Sequence, residues 1–233
     1  MKVCLTMPLY LRGSAALEAP KRAIKWYLQT GLPFHVCGSE GNLSRRYVES
    51  LGATYIEVKQ RRFSRNSGGD DHLRKKFNDS IATHGDGYDW YCLVGADDLV
   101  SLEFFDKLPD TNVPTMAGVS MSSPLVLHHL QYKMSASVHL DYYNKYDLLP
   151  GVNAFNRAAM RACMNRPYQM RGCETGAEQF FAASGDVFPI PGYVVMLKED
   201  GCLNNFTRII DRHRVTALTD FEQKTLDEVM KKT

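Results

Sequence analysis

Much that would assign a chain to a class at once is missing from these 233 residues. No stretch approaches the ~20 consecutive apolar residues that cross a bilayer, and the opening MKVCLTMPLY lacks the long apolar centre of a signal peptide, so the sequence reads as cytosolic with no membrane partner. Cys4, Cys37, Cys92, Cys163, Cys173 and Cys202 fall singly, with no CxxC pair, which excludes the usual zinc and disulfide frameworks. Three of them sit in apolar, strand-like runs, where reduced and buried thiols are expected. An excess of one charge is also absent: 28 basic against 26 acidic residues leave a net charge of +2, too mild for bulk attraction to nucleic acid. Neither internal repeats nor low-complexity segments occur. What remains is a composition with 44% hydrophobic and 23% charged residues, that of a globular protein with a large core. The length suits one domain spanning residues 1–233.

Apolar runs alternate with helical patterns through the first half. Val3 to Met7, Phe34 to Cys37, Thr54 to Val58 and Trp90 to Gly95 read as strands. Ala15 to Gln29, Leu43 to Leu51 and Asp71 to Thr83 read as the intervening helices, the first two closed by Gly31 and Gly52. Such a βαβα series predicts a mostly parallel sheet with helices on both faces and ligands gathered at the carboxyl ends of its strands. From Met116 the pattern shifts to short alternating runs, Thr115 to Ser120, Leu125 to Tyr132 and Ala136 to Leu140, which predict mixed or antiparallel strands. Helices follow at Arg157 to Met164 and Glu174 to Ser184, and strands at Val187 to Pro189 and Tyr193 to Leu197. Thr219-Asp-Phe-Glu222 has the form of a capping box opening a C-terminal helix. The reading is an α/β domain with a nucleotide-binding half over 1–110 and a smaller α+β half over 111–233.

At the end of the run WYCLVGA stand two adjacent carboxylates, Asp97 and Asp98, where a parallel sheet places its ligand crevice. Mg²⁺ and Mn²⁺ take oxygen ligands, often one or two carboxylates together with phosphate oxygens, so the pair suits a metal that neutralises a diphosphate leaving group. The alternative is that Asp98 or Ser101 caps a helix beginning near Leu102.

The segment HLRKKFNDSIATHGDGYDWYCLVGADDLVSLEFFDKL, a helix with basic and Asn residues leading to a strand that ends in acids, resembles the GT-A glycosyltransferases, above all the inverting family-two type. MPLY is similar to that family's Pro-containing first loop, GVNAFNRAAMRAC to its acceptor-side strand and helix, and GCETGAEQFFAASGDVFPIP to the later helix that opens with the catalytic acid. These matches span roughly residues 1–215. One position departs: Gly95 stands where the leading acid of the family's motif would be.

The resemblance implies a transferase that moves a sugar from a nucleoside diphosphate sugar, UDP-linked, to an acceptor hydroxyl, with Mn²⁺ or Mg²⁺ as cofactor. It places Pro8 and Tyr10 against the base and Ser39 and Glu40 beside the base or ribose. Lys75 and Asn78, three apart on one helix face, would contact a uracil edge or a phosphate, and the segment from Ala96 through Asp97 would contact the donor. Asp97 is implied as the main metal ligand, with Asp98 supporting and His213 of IIDRHRV completing the site. Glu174 is implied as general base, with Glu178 one turn along as its rival. The basic run Lys59, Arg61, Arg62 and Arg65 would hold the diphosphate or meet a polyanionic acceptor, such as DNA carrying a hydroxymethylated base presented single-stranded or flipped. Small sugar transferases that modify viral DNA are the analogy. Two other readings stay open. A sugar-phosphate nucleotidyltransferase would use a related sheet, although MPLYLRGSA is a poor Gly-rich phosphate loop, and an inactive sugar- or nucleic-acid-binding module would use the same fold.

Overall fold

The structure is a computed structural model that describes residues 1–9, 18–38, 42–58, 77–140, 148–164, 166–167, 185–200 and 206–233. The first four strands are β1 (Val3–Pro8), β2 (Phe34–Gly38), β3 (Thr54–Glu57) and β4 (Trp90–Val94). Between them lie α1 (Glu18–Leu28), α2 (Asn42–Ser50) and α3, of which residues 77–82 are described. Then come β5 (Asp98–Val100), a 3-10 helix (Leu102–Lys107), β6 (Thr115–Val119), β7 (Leu125–His129) and β8 (Met134–His139). The remainder is β9 (Val152–Asn156), α4 (Arg157–Ala162), β10 (Asp186–Ile190), β11 (Val194–Lys198), α5 (Phe206–Ile210), β12 (Arg214–Thr216) and α6 (Asp220–Lys232).

Seven strands form the main sheet in the order β10-β6-β9-β4-β1-β2-β3. All its ladders are parallel except the two made by β9, which runs against β4 and β6. The carboxyl ends of the other six strands therefore share one edge, and Gly151, just before β9, joins them there. A second sheet of five strands has the order β12-β8-β7-β11-β5. Each sheet draws on both parts of the chain, since β5 belongs to the second while β6, β9 and β10 complete the first.

Strand alternation explains the layers. In β4, Trp90, Cys92 and Val94 join the larger core cluster, with α1, Val48 of α2 and the second sheet. Tyr91 and Leu93 face the other way, into a cluster with Ile81 of α3 and Ala159 and Met160 of α4. The centre of the sheet is thus covered on both faces, which is why β4 reads as an unbroken apolar run. Each fully buried large side chain, such as Trp26, Tyr27 or Phe104, contributes about 1.5–3 kcal/mol by the usual area relation. Cys4, Cys37, Cys92 and Cys163 are free and buried, as expected; Cys173 and Cys202 lie outside the described residues.

The alternative that Asp98 or Ser101 caps a helix fails just after β4. The segment beginning near Leu102 is a 3-10 helix whose N-cap, Ser101, makes no side-chain cap hydrogen bond. Ser101 Oγ instead accepts from the Tyr193 amide at 3.3 Å. Asp98 does not cap that helix either: it opens β5, paired antiparallel with β11 through Asp98–Met196, Leu99–Val195 and Val100–Val194. The physical reason is a competing ladder, since β11 offers backbone partners that a short helix cannot match.

Candidate active site

The crossing from β4 to β5 is built by its neighbours. The Tyr27 hydroxyl donates to the Asp98 carbonyl at 2.7 Å and accepts from the Val100 amide at 3.3 Å. Trp26 Nε1 donates to the Val100 carbonyl at 2.7 Å. Adjacent aromatics on α1 thus hold β5 by its backbone, and burial, above all, pushes the Tyr27 phenol well above its ordinary range, so it stays a neutral donor. The Leu197 amide donates to the Asp97 carbonyl at 2.7 Å, which fixes the backbone of Asp97 against β11.

Space decides where the carboxylate of Asp98 goes. A Cβ at Gly95 would stand 2.8 Å from Asp98 Oδ2 and 2.9 Å from its Cβ, and a Cβ at Gly151 would stand 3.3 Å from the Asp98 Cβ. Gly151 also has φ +112°, a region that favours glycine. Asp98 therefore folds back between two glycines, in the volume that a side chain at position 95 would need. The missing leading acid and the second Asp are one packing arrangement.

The sequence reading did not anticipate Lys198. It ends β11, its side chain is 3% exposed, and its ammonium stands 2.5 Å from Asp97 Oδ2 and 3.7 Å from Asp98 Oδ1. An ammonium so far from solvent requires fixed countercharge, and the two carboxylates supply it. Asp97 keeps 28% of its side chain exposed, so the pair has a buried cationic end and an accessible anionic end. The next residue, Glu199, points to the opposite partner: its carboxylate accepts from the Ala19 amide at 2.7 Å and the Glu18 amide at 3.1 Å, at the N-terminus of α1. Two buried charges of opposite sign thus prolong a buried strand, and each is matched. A reader of the sequence had that signal in VVMLKE, an apolar strand running directly into a Lys-Glu pair at the site edge.

Other residues expected at the site are placed as follows. Pro8 ends β1 opposite Cys37, and buried Leu9 donates its amide to the Cys37 carbonyl at 2.7 Å, so the first loop starts at the site edge. Ala96 packs partly buried against the main core. Asn78 lies half-buried on α3 and is engaged with neighbouring groups. His213 is half-buried beyond α5, its amide donating to the Ile209 carbonyl at 3.1 Å. Tyr10, Ser39, Glu40, Lys75, Glu174 and Glu178, with the basic run from Lys59 to Arg65, lie outside the described residues.

Two of the three residues assigned to a divalent ion, Asp97 and Asp98, both face the Lys198 ammonium. Among the described residues no group of three His, Cys, Asp or Glu side chains is arranged to hold a metal. Asp97 Oδ2 accepts from that ammonium.

Comparison with known proteins agrees with the topology. No family model matches the sequence and no curated protein sequence matches it significantly, but solved structures do. The mannosyltransferase PcManGT from Pyrobaculum calidifontis, solved with GDP-Man and Mn²⁺, superposes with a TM-score of 0.52 at 14% identity, over 84% of this chain and 56% of that one. The 4-diphosphocytidyl-2C-methyl-D-erythritol synthase of Anaerococcus prevotii gives a TM-score of 0.51 at 9% identity, over 82% and 87%. This chain has the GT-A fold. That fold carries both sugar transfer and nucleotidyl transfer, so the chemistry has to be argued from the site.

Proposed function

We propose that this GT-A chain, acting as one domain over residues 1–233, transfers a sugar from a nucleoside diphosphate sugar, UDP-linked, to an acceptor hydroxyl. The observation that carries the reading is Asp97: a partly exposed carboxylate at the carboxyl end of a central parallel strand, its orientation locked by buried Lys198. A carboxylate so held accepts hydrogen bonds from ribose or sugar hydroxyls without the cost of ordering it on binding. Pro8 and Leu9 lie at the same edge, in keeping with contacts to the base.

In the proposed reaction the acceptor oxygen attacks the anomeric carbon while its proton passes to a carboxylate, Glu174 or Glu178. The bond from the anomeric carbon to the diphosphate oxygen breaks, and the nucleoside diphosphate leaves. A single displacement of this kind inverts the anomeric centre.

A thermal-shift screen tests the reading, because a ligand of the native state raises the melting temperature. At least one of the UDP, GDP, CDP or TDP sugars is expected to raise it, and incubation with acceptor hydroxyls, including single-stranded DNA with hydroxymethylated bases, is expected to release the nucleoside diphosphate. A shift by CTP or another triphosphate, with pyrophosphate released from the triphosphate as its nucleotidyl group passes to a sugar phosphate, would instead identify a nucleotidyltransferase. Binding with no turnover would identify a binding module.

A further inference from the structure

The position of Lys198 bears on how such a site handles the charge of its ligand. Mg²⁺ and Mn²⁺ sit about 2.0–2.2 Å from a carboxylate oxygen. An ion on Asp97 Oδ2 would therefore stand at most about 4.7 Å from an ammonium that itself lies 2.5 Å from that oxygen. At that range a doubly charged ion and an ammonium repel strongly, and the buried setting weakens solvent screening. Lys198 has little room to withdraw. Its carbonyl accepts from the Leu130 amide at 2.9 Å, Leu197 before it is fully buried, and Glu199 after it is clamped to the start of α1.

We infer that Lys198 is a built-in cation that replaces the divalent ion at this site, so that nucleoside diphosphates bind here without metal. Compared with the two carboxylates alone, the ammonium removes much of the attraction for a dication and reduces the repulsion of an incoming diphosphate. Lys198 acts as a positioning residue: its side chain is too buried to meet the ligand and works through Asp97. The nucleotide part of this inference rests on the proposed donor reading, whereas the metal part rests on the geometry alone.

Mn²⁺ titration followed by electron paramagnetic resonance, with calorimetric titration of UDP and GDP in EDTA and in Mn²⁺, tests both parts. The wild-type protein is expected to leave Mn²⁺ free, and folded Lys198→Met, its two carboxylates released, is expected to gain one Mn²⁺ site that the added change Asp97→Asn abolishes. UDP or GDP affinity for the wild type is expected to agree within about twofold between the two buffers, under 0.5 kcal/mol. Wild-type Mn²⁺ binding that Asp97→Asn removes would overturn the inference, as would a folded Lys198→Met protein that gains no site, or an affinity at least tenfold weaker in EDTA. If Lys198→Met does not fold, the wild-type titrations decide alone. Failure of both nucleotides to bind in either buffer would overturn the UDP-linked donor reading and metal-free binding of these nucleotides with it; Mn²⁺ binding by the wild type that Asp97→Asn removes would overturn only the role of Lys198.

Discussion

Gly95 and Asp98 show how one residue's absence is explained by another's presence. A methyl group at position 95 meets the Asp98 carboxylate and its Cβ at less than 3 Å, and the Cβ end of Asp98 is not free to swing away. Gly95→Ala is therefore expected to lower stability by about 1–3 kcal/mol, the usual cost of overpacking, in urea titration. Asp97→Asn removes the nearer of the two carboxylates that face the Lys198 ammonium, the other being Asp98 at 3.7 Å. Removing one partner of a fully buried pair costs about 3–5 kcal/mol; because Asp98 remains and Asp97 is partly exposed, a loss below that range, about 2–3 kcal/mol, is expected in the same titration. The acids themselves were legible from their place after an apolar strand. Lys198 was not, because a lysine that follows an apolar run has the same local pattern whether it reaches solvent or turns inward, and only the packing of β11 against β5 makes the difference.

Among the elements, α6 is the one whose start the sequence specifies most completely. Thr219 Oγ1 accepts from the Glu222 amide, and the Glu222 carboxylate accepts from the Thr219 amide at 2.8 Å, so both halves of the capping box form. The same carboxylate accepts from Ser137 Oγ at 2.7 Å, which ties α6 to β8 and could not be foreseen from the box alone. Burial of Glu222 acts to raise its pKa, but the hydrogen bonds from Ser137 and Thr219 outweigh it and the net shift is downward from 4.5. A depressed carboxyl contributes stability that is present above its unfolded value and is lost as pH falls through the folded one. Glu222→Ala is expected to cost about 1–2 kcal/mol at neutral pH, and the difference from wild type should shrink below pH 4.5. β1, β2 and β4 were readable because burial on both faces makes them largely apolar runs. β5 and β12, three residues each, were not, since nothing but a partner strand makes them strands.

At the scale of the molecule, the βαβα series was enough to foresee a parallel sheet and its ligand-bearing edge. The second sheet and the insertion of β9 depend on pairings distant in the chain. One consequence of the closed core is a pH response away from the site. His84 stacks on His35 with ring centroids 3.8 Å apart, and its Nε2 lies 2.8 Å from the Leu5 carbonyl oxygen. Burial first, then the neighbouring His35, lowers the pKa of His84 from 6.5 to about 4, against a smaller raising effect of the Leu5 carbonyl. The unfolded chain then takes up the proton before the folded one, so stability is expected to decline as pH falls from 6.5 to about 4, and His84→Gln to flatten that part of the profile in urea titrations. The donor site itself is tested most directly by the melting temperature of wild-type and folded Asp97→Asn proteins with nucleoside diphosphate sugars in EDTA. A rise for the wild type that is lost in Asp97→Asn is the predicted result; equal rises in both, or none across the UDP, GDP, CDP and TDP sugars, would contradict it.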